Sequence, residues 1–175
     1  MNVNAIDNLT GRRVVASIDP ITGGSGGMPW GDGTEGSGAN SAFLKNTPVE
    51  INEAEVPIRI LRYGLAADSG GPGKFRGGMA TALHFRAGAP NTRVTARNRD
   101  RTRFTSWGVL GGRSGAASVF LLNPGAPTEV NLGNTDILSI DPGDEILVIS
   151  GGAGGWGDPL TRDAGAVLLD VRRGF

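Results

Sequence analysis

The residues best suited to chemistry sit in one glycine-rich run, Asp68-Ser69-Gly70-Gly71-Pro72-Gly73-Lys74-Phe75-Arg76-Gly77-Gly78. Its glycines free the backbone to aim amides at an anion, and Lys74 and Arg76 supply positive charge. It is not a phosphate-binding P-loop, which needs Gly five residues before the Gly-Lys glycine and Ser or Thr after the lysine; Asp68 and Phe75 stand there instead. Two readings stay open: an anion or substrate contact through Lys74 and Arg76, or a tight turn between strands whose glycines adopt φ > 0. A second run, Gly152-Ala153-Gly154-Gly155-Trp156-Gly157, has the G-x-G-x-x-G spacing of dinucleotide-binding folds, but Asp158-Pro159 interrupts where the helix must begin. It reads as backbone passing close to a neighbouring surface, with Trp156 as an anchor.

Arg93, Arg97, Arg99, Arg101 and Arg103 fall at odd positions, so one strand would carry them on one face. Lys45 and Lys74 are the only lysines among 17 basic residues, and such an arginine bias favours planar pairing with carboxylates or phosphates. The stripe fits ion pairing with an acidic partner or binding of a phosphorylated intermediate. The candidate anion-binding set is Lys74, Arg76, Arg99 and Arg101. Glu50, Glu53 and Glu55, with Asp32, make either a carboxylate cluster for a divalent metal or proton transfer, or solvated charges flanking a strand. His84 lies mid-strand, opposite in sense to Leu83 and Phe85, and reads as a surface or hydrogen-bonded residue rather than a base.

Absences narrow the chemistry further. The 175 residues hold no cysteine and one histidine, which excludes disulfides, thiol nucleophiles, thiolate metal sites and sites built on several histidines. The formal net charge is zero and aromatics are 6%, which leaves no basic excess or stacking platform for nucleic acid. Apolar runs are too short to span a membrane or to form a signal peptide, so the expectation is a cytoplasmic chain.

The elements that must position these residues read as strands. Short β-branched runs recur between Gly, Pro, Asn and Asp: 12–18, 56–65, 80–86, 92–97, 118–123, 129–132, 137–140 and 145–150. Pro57 must sit at a strand start or on an edge. One helix is expected after Asp163, running to Arg173 with Val167, Leu168 and Val171 on a stripe and Gly174 as its stop. Residues 19–47, rich in glycine from Gly23 to Gly38, form a long loop that is functional, covered by a partner or disordered. The fold expected for 1–175 is a single mainly β domain, an antiparallel sandwich or barrel-like module with long Gly-rich loops and one C-terminal helix.

The blocks are similar to the C-terminal part of the hydantoinase B/oxoprolinase family, whose B-type subunits include those of ATP-dependent hydantoinases and oxoprolinases and relatives in acetone and acetophenone carboxylases. The resemblance rests on Pro48-Val49-Glu50 with Glu53 and Pro57; on Arg62-Tyr63 and the run from Asp68 to Gly78; on Asp100-Arg101, Trp107-Gly108 and Gly111-Gly112; and on Pro142-Gly143-Asp144, the run from Gly151 to Pro159, and Asp170-Val171-Arg172. It implies a small subunit or fragment of an ATP-dependent cyclic-amide hydrolase or ketone carboxylase, contributing subunit interface and intermediate binding. The alternative is a purely structural subunit. The resemblance places ATP and a divalent metal on partner subunits, with none bound by this chain alone. The partners it implies are an A-type subunit, which phosphorylates the amide or enolate oxygen, and the rest of a B-type subunit.

Overall fold

The computed structural model describes residues 1–18, 22–36, 47–96 and 100–175. Chain reversal begins at the first turn, where the Asp7 carboxylate accepts from the main-chain N–H of Leu9 and Thr10 and from the Thr10 hydroxyl. Gly11, at φ 68°, completes a hairpin between β1 (Asn2–Ile6) and β2 (Arg13–Ser17). β5 (Thr92–Thr95) adds to β1, and β8 (Ile137–Ile140) adds to β5, giving an antiparallel sheet ordered β2-β1-β5-β8. The second sheet is built from β3 (Ile58–Ala66), β4 (Ala80–Ala87), β6 (Val119–Leu122), β7 (Val130–Asn131) and β9 (Glu145–Ile149) in the order β3-β4-β9-β6-β7.

Alternation decides which face is buried. Val3, Val94 and Ile140 of the first sheet join Leu83, Phe85, Phe120, Ile146 and Val148 of the second in one apolar cluster, so the sheets pack as a sandwich and close no barrel. The mainly β expectation therefore holds, and so does the helix near the C-terminus: α2 (Ala164–Arg173) is capped by Asp163, which accepts from the Ala166 N–H, and stopped by Gly174 at φ 76°. Two elements depart from expectation. β1 lies where no strand was anticipated. Residues 49–55 form a helix, α1 (Val49–Glu55), not the approach to a strand, and Pro57 follows it immediately before β3. Glu53 explains the arrangement, because its carboxylate leaves α1 to accept from the Ile60 N–H at 2.7 Å and from Arg59 at 3.3 Å, at the bulge in β3.

Beside the sandwich, segments 22–36, 69–78, 106–116 and 150–157 run together with few strand or helix hydrogen bonds of their own, and their backbones bond directly to one another. The N–H of Gly27 donates to Gly154, Gly71 to Ala153, Gly78 to Ser25, Arg113 to Pro72, Ala116 to Ser69 and Val109 to Gly155. The glycines of the 68–78 run are not turn residues with φ > 0; only Asp68 in that run has positive φ, at 56°. They are glycines because nothing larger fits. A Cβ on Gly71 would fall under 3.0 Å from the Arg113 carbonyl and one on Gly77 under 3.0 Å from that of Ala153, and from the other side one on Gly152 would fall under 3.0 Å from the Ser69 carbonyl. Backbone atoms cannot swing aside as a side chain can, so a methyl group forces the segments apart. Gly152→Ala should accordingly lose about 3 kcal/mol or more of stability, whereas Gly64→Ala, in β3 with open space around it, should melt close to wild type. Thermal denaturation of the two variants checks this.

Candidate functional site

A cleft of about 500 Å³ lies between this glycine bundle and α2, walled by Gly70, Pro72 and Gly73 on one side, Ser114 to Ala116 on another, and Val167, Asp170 and Phe175. Two arginines form part of its lining. Arg162, in the turn before α2, has only 8% of its side chain exposed. It donates to both Asp32 oxygens at 2.7 and 2.8 Å, to Asp170 at 2.7 Å and to the Lys74 carbonyl at 3.0 Å. Its Nε is buried with no hydrogen-bond partner. Arg76 pairs with Glu35 at 2.5 Å and Asp170 at 3.2 Å, while its guanidinium lies 4.2 Å from the Phe175 ring centroid. Asp32 also accepts from the Arg76 main-chain N–H at 2.8 Å. Two guanidinium groups thus bind α2, the 22–36 segment and the 68–78 run together through three carboxylates.

Electrostatics follow from that count. Burial pushes the Asp32 carboxyl up, but the hydrogen bonds and charges of Arg162 and Arg76 outweigh burial and hold it below the usual carboxylate range. The same bond to Asp32 raises the Arg162 guanidinium, against the opposing effect of burial, so it stays charged. Three carboxylates face two arginines here, so Arg76 and Arg162 are both ion-paired.

Of the candidate anion set, Lys74, Arg76 and Arg101 lie among the described residues. Arg76 lines the cleft, ion-paired; Lys74 is exposed on the bundle with its Nζ 5.7 Å from the Phe75 ring centroid. Arg101 is exposed on the 3-10 turn Asp100–Thr102, where its carbonyl accepts from the Ser118 N–H. Arg99 lies outside the described residues, as does Arg97. Among the described residues, Arg93 lies on β5, which ends at Thr95, and Arg101 on the 3-10 turn, so these two do not share one strand face. Glu50, Glu53 and Glu55 do not meet Asp32: Glu53 serves β3 and Asp32 serves Arg162. Among the described residues no three acidic or histidine side chains gather as a metal site.

His84 is hydrogen-bonded, as expected, its Nε2 lying 2.7 Å from Glu145, which also accepts from Nε and Nη2 of Arg86. The Arg86 bonds hold Glu145 below its usual value. Trp156 anchors the bundle against Phe75 with ring centroids 5.9 Å apart. Sequence reasoning missed the role of Arg162, Glu35 and Asp170. Their only signal was acid and base types in blocks far apart, since Asp32 and Arg162 are separated by 130 positions.

Asp32→Asn should cost about 2 kcal/mol near neutral pH, less than a fully buried pair because the carboxylate is partly exposed. Its pKa is lower folded than unfolded, so the stability it contributes is full above the ordinary value of 3.8 and fades as pH falls through the lower folded value. The loss of wild-type stability between neutral pH and about pH 3 should therefore be smaller in the variant, as urea denaturation at the two pH values would measure.

Known proteins resemble this chain in sequence and fold. The Hydantoinase B/oxoprolinase family model matches residues 1–159. The caprolactamase subunit beta of Pseudomonas jessenii is 32% identical over 174 residues, a match spanning 93% of this chain and 29% of that one. The crystal structure of the ATP-dependent caprolactamase from that organism superimposes with TM-score 0.83 at 25% identity, over 99% of this chain and 31% of its own. Nucleotide-free acetone carboxylase, at 22% identity, shares the fold with TM-score 0.80 over 99% of this chain and 27% of its own. The chain thus spans under a third of the length of each of these proteins. No described helix is long and apolar enough to cross a membrane. With its sandwich, its glycine bundle and a match over residues 1–159, the chain is a member of the Hydantoinase B/oxoprolinase family.

Proposed function

We propose that the chain works as a small part of a multi-subunit ATP-dependent enzyme, a cyclic-amide hydrolase of hydantoinase or oxoprolinase type or a related ketone carboxylase, and contributes subunit interface to it. One observation carries this reading: nearly all of the chain superimposes on under a third of the ATP-dependent caprolactamase. In this reading an A-type subunit uses ATP to phosphorylate the amide or enolate oxygen, because an amide oxygen leaves poorly and its phosphate ester leaves well. The B-type assembly then lets water, or activated bicarbonate, attack. ATP and a divalent metal belong to the partner subunits. The intermediate must be shielded from bulk water, and a rigid glycine bundle suits one wall of such a compartment.

An anion contact through Lys74, Arg76, Arg99 and Arg101 belongs to the same proposal, with Lys74 as its testable member, because it is exposed while Arg76 is already clamped. The saturation of Arg76 and Arg162 by carboxylates favours a second reading, a purely structural subunit. Turnover of the complex assembled with Lys74→Ala separates them. An intact complex with kcat/KM reduced at least about tenfold fits loss of a charge-assisted contact; unchanged turnover assigns the chain to scaffolding. The purified chain alone should turn over neither ATP nor a cyclic amide, and ¹³C-bicarbonate should label product only if the complex is a carboxylase.

A further inference from the structure

One end of the glycine bundle is apolar and faces solvent. Gly27 donates to the Gly154 carbonyl, and the chain then enters the tight Met28–Gly31 turn that carries Trp30, 76% exposed. Trp107, 74% exposed, packs its carbonyl against Gly154, and Val109 donates to Gly155. The chain reverses at Leu110 and Gly111, both with positive φ, of 52° and 95°. Asp158 lies beside Gly111, and Leu160, 92% exposed, follows two residues later. The segments that carry Trp30, Trp107, Leu110 and Leu160 therefore run beside the 154–158 backbone.

These exposures oppose the chain's own folding. A tryptophan carries about 150–250 Å² of area that stabilises only when covered, and two of them with two leucines bring bare apolar area to the few hundred Å² typical of a functional patch. Leu110 adds strain. A leucine in the left-handed region costs about 1 kcal/mol, and here that conformation holds its side chain in water. Strain with no internal return marks a surface completed from outside.

Charge and length select what completes it. Lys74 is exposed at the same end, its N–H donating to Gly157, whereas the Asp158 carboxylate is taken by the Leu160 N–H at 2.9 Å. A second copy related by a two-fold axis would bring another exposed Lys74 to this rim, like charge against like. The chain matches 31% of the caprolactamase chain, so most of that relative's length has no counterpart in it. Resting on the reading under Proposed function, we infer that Trp30, Trp107, Leu110 and Leu160 form the docking face for the polypeptide corresponding to that remainder, which meets them with apolar surface rimmed by carboxylate.

Tagged full-length chain, purified from its native cells as wild type, as Trp107→Ser/Leu110→Ser and as the edge control Ile137→Ser, tests this. Wild type and control should retain a polypeptide whose sequence matches the uncovered part of the caprolactamase subunit, and the double variant should retain at least about tenfold less. Hydroxyl-radical footprinting of the wild-type complex needs no variant, and it should show Trp30 and Trp107 protected relative to the free chain. A partner retained by a folded double variant, or tryptophans oxidised equally in free chain and complex, overturns the docking face while leaving the functional reading intact. Self-association in size-exclusion chromatography that the double variant abolishes assigns the face to a second copy and overturns the inference. A wild-type chain that retains no such polypeptide and stays monomeric overturns the functional reading together with the inference.

Discussion

Backbone-to-backbone contact without room for a Cβ is the constraint on which the rest of the molecule depends. Four segments distant in sequence approach until carbonyls occupy the volume where side chains would start, and only glycine permits that. The N–H and C=O groups of these segments bond across the bundle rather than along it, which meets the requirement that buried backbone be paired without adding a third sheet. Glycine loses more conformational freedom on folding than any other residue, so the bundle needs its cross-bonds and its anchors to persist.

Those anchors are few and specific. Trp156 on Phe75 holds one end, and the Arg76–Arg162–Asp32–Glu35–Asp170 network ties α2 to the flank. Helix α2 leaves Leu168 and Val171 exposed, so polar contacts hold it where an apolar stripe would ordinarily do so. Groups that look catalytic by type are thereby committed to architecture: Glu53 fixes the β3 bulge, Ser69 donates to the Ala66 carbonyl while accepting from Ala80, and Asp32 joins two arginines. The conspicuous acid, base and glycine types build a surface of fixed shape.

How much was legible in the sequence varies with the range of the interaction. Ile137–Ile140 forms a strand at the positions its pattern marks, and α2 runs between the cap and stop that Asp163 and Gly174 announce, because periodicity and capping are local properties. The resemblance carried by the glycine blocks was likewise readable, since it depends on residue order alone. α1 was not, because seven residues with scattered acids carry too weak a period to distinguish from a strand's approach.

The sequence by itself determined a mainly β chain without thiol or multi-histidine chemistry, its family, and the end of its last helix. Only the tertiary structure decided why the glycines are there and what the charges do. Whether a Cβ fits at Gly152 depends on where Ser69 runs, and whether Arg162 is free depends on Asp32. Each of those neighbours arrives from a remote part of the chain, so no local spacing encodes the contact, and the tight turn that local spacing suggested gave way to a glycine bundle and an ion-paired clamp.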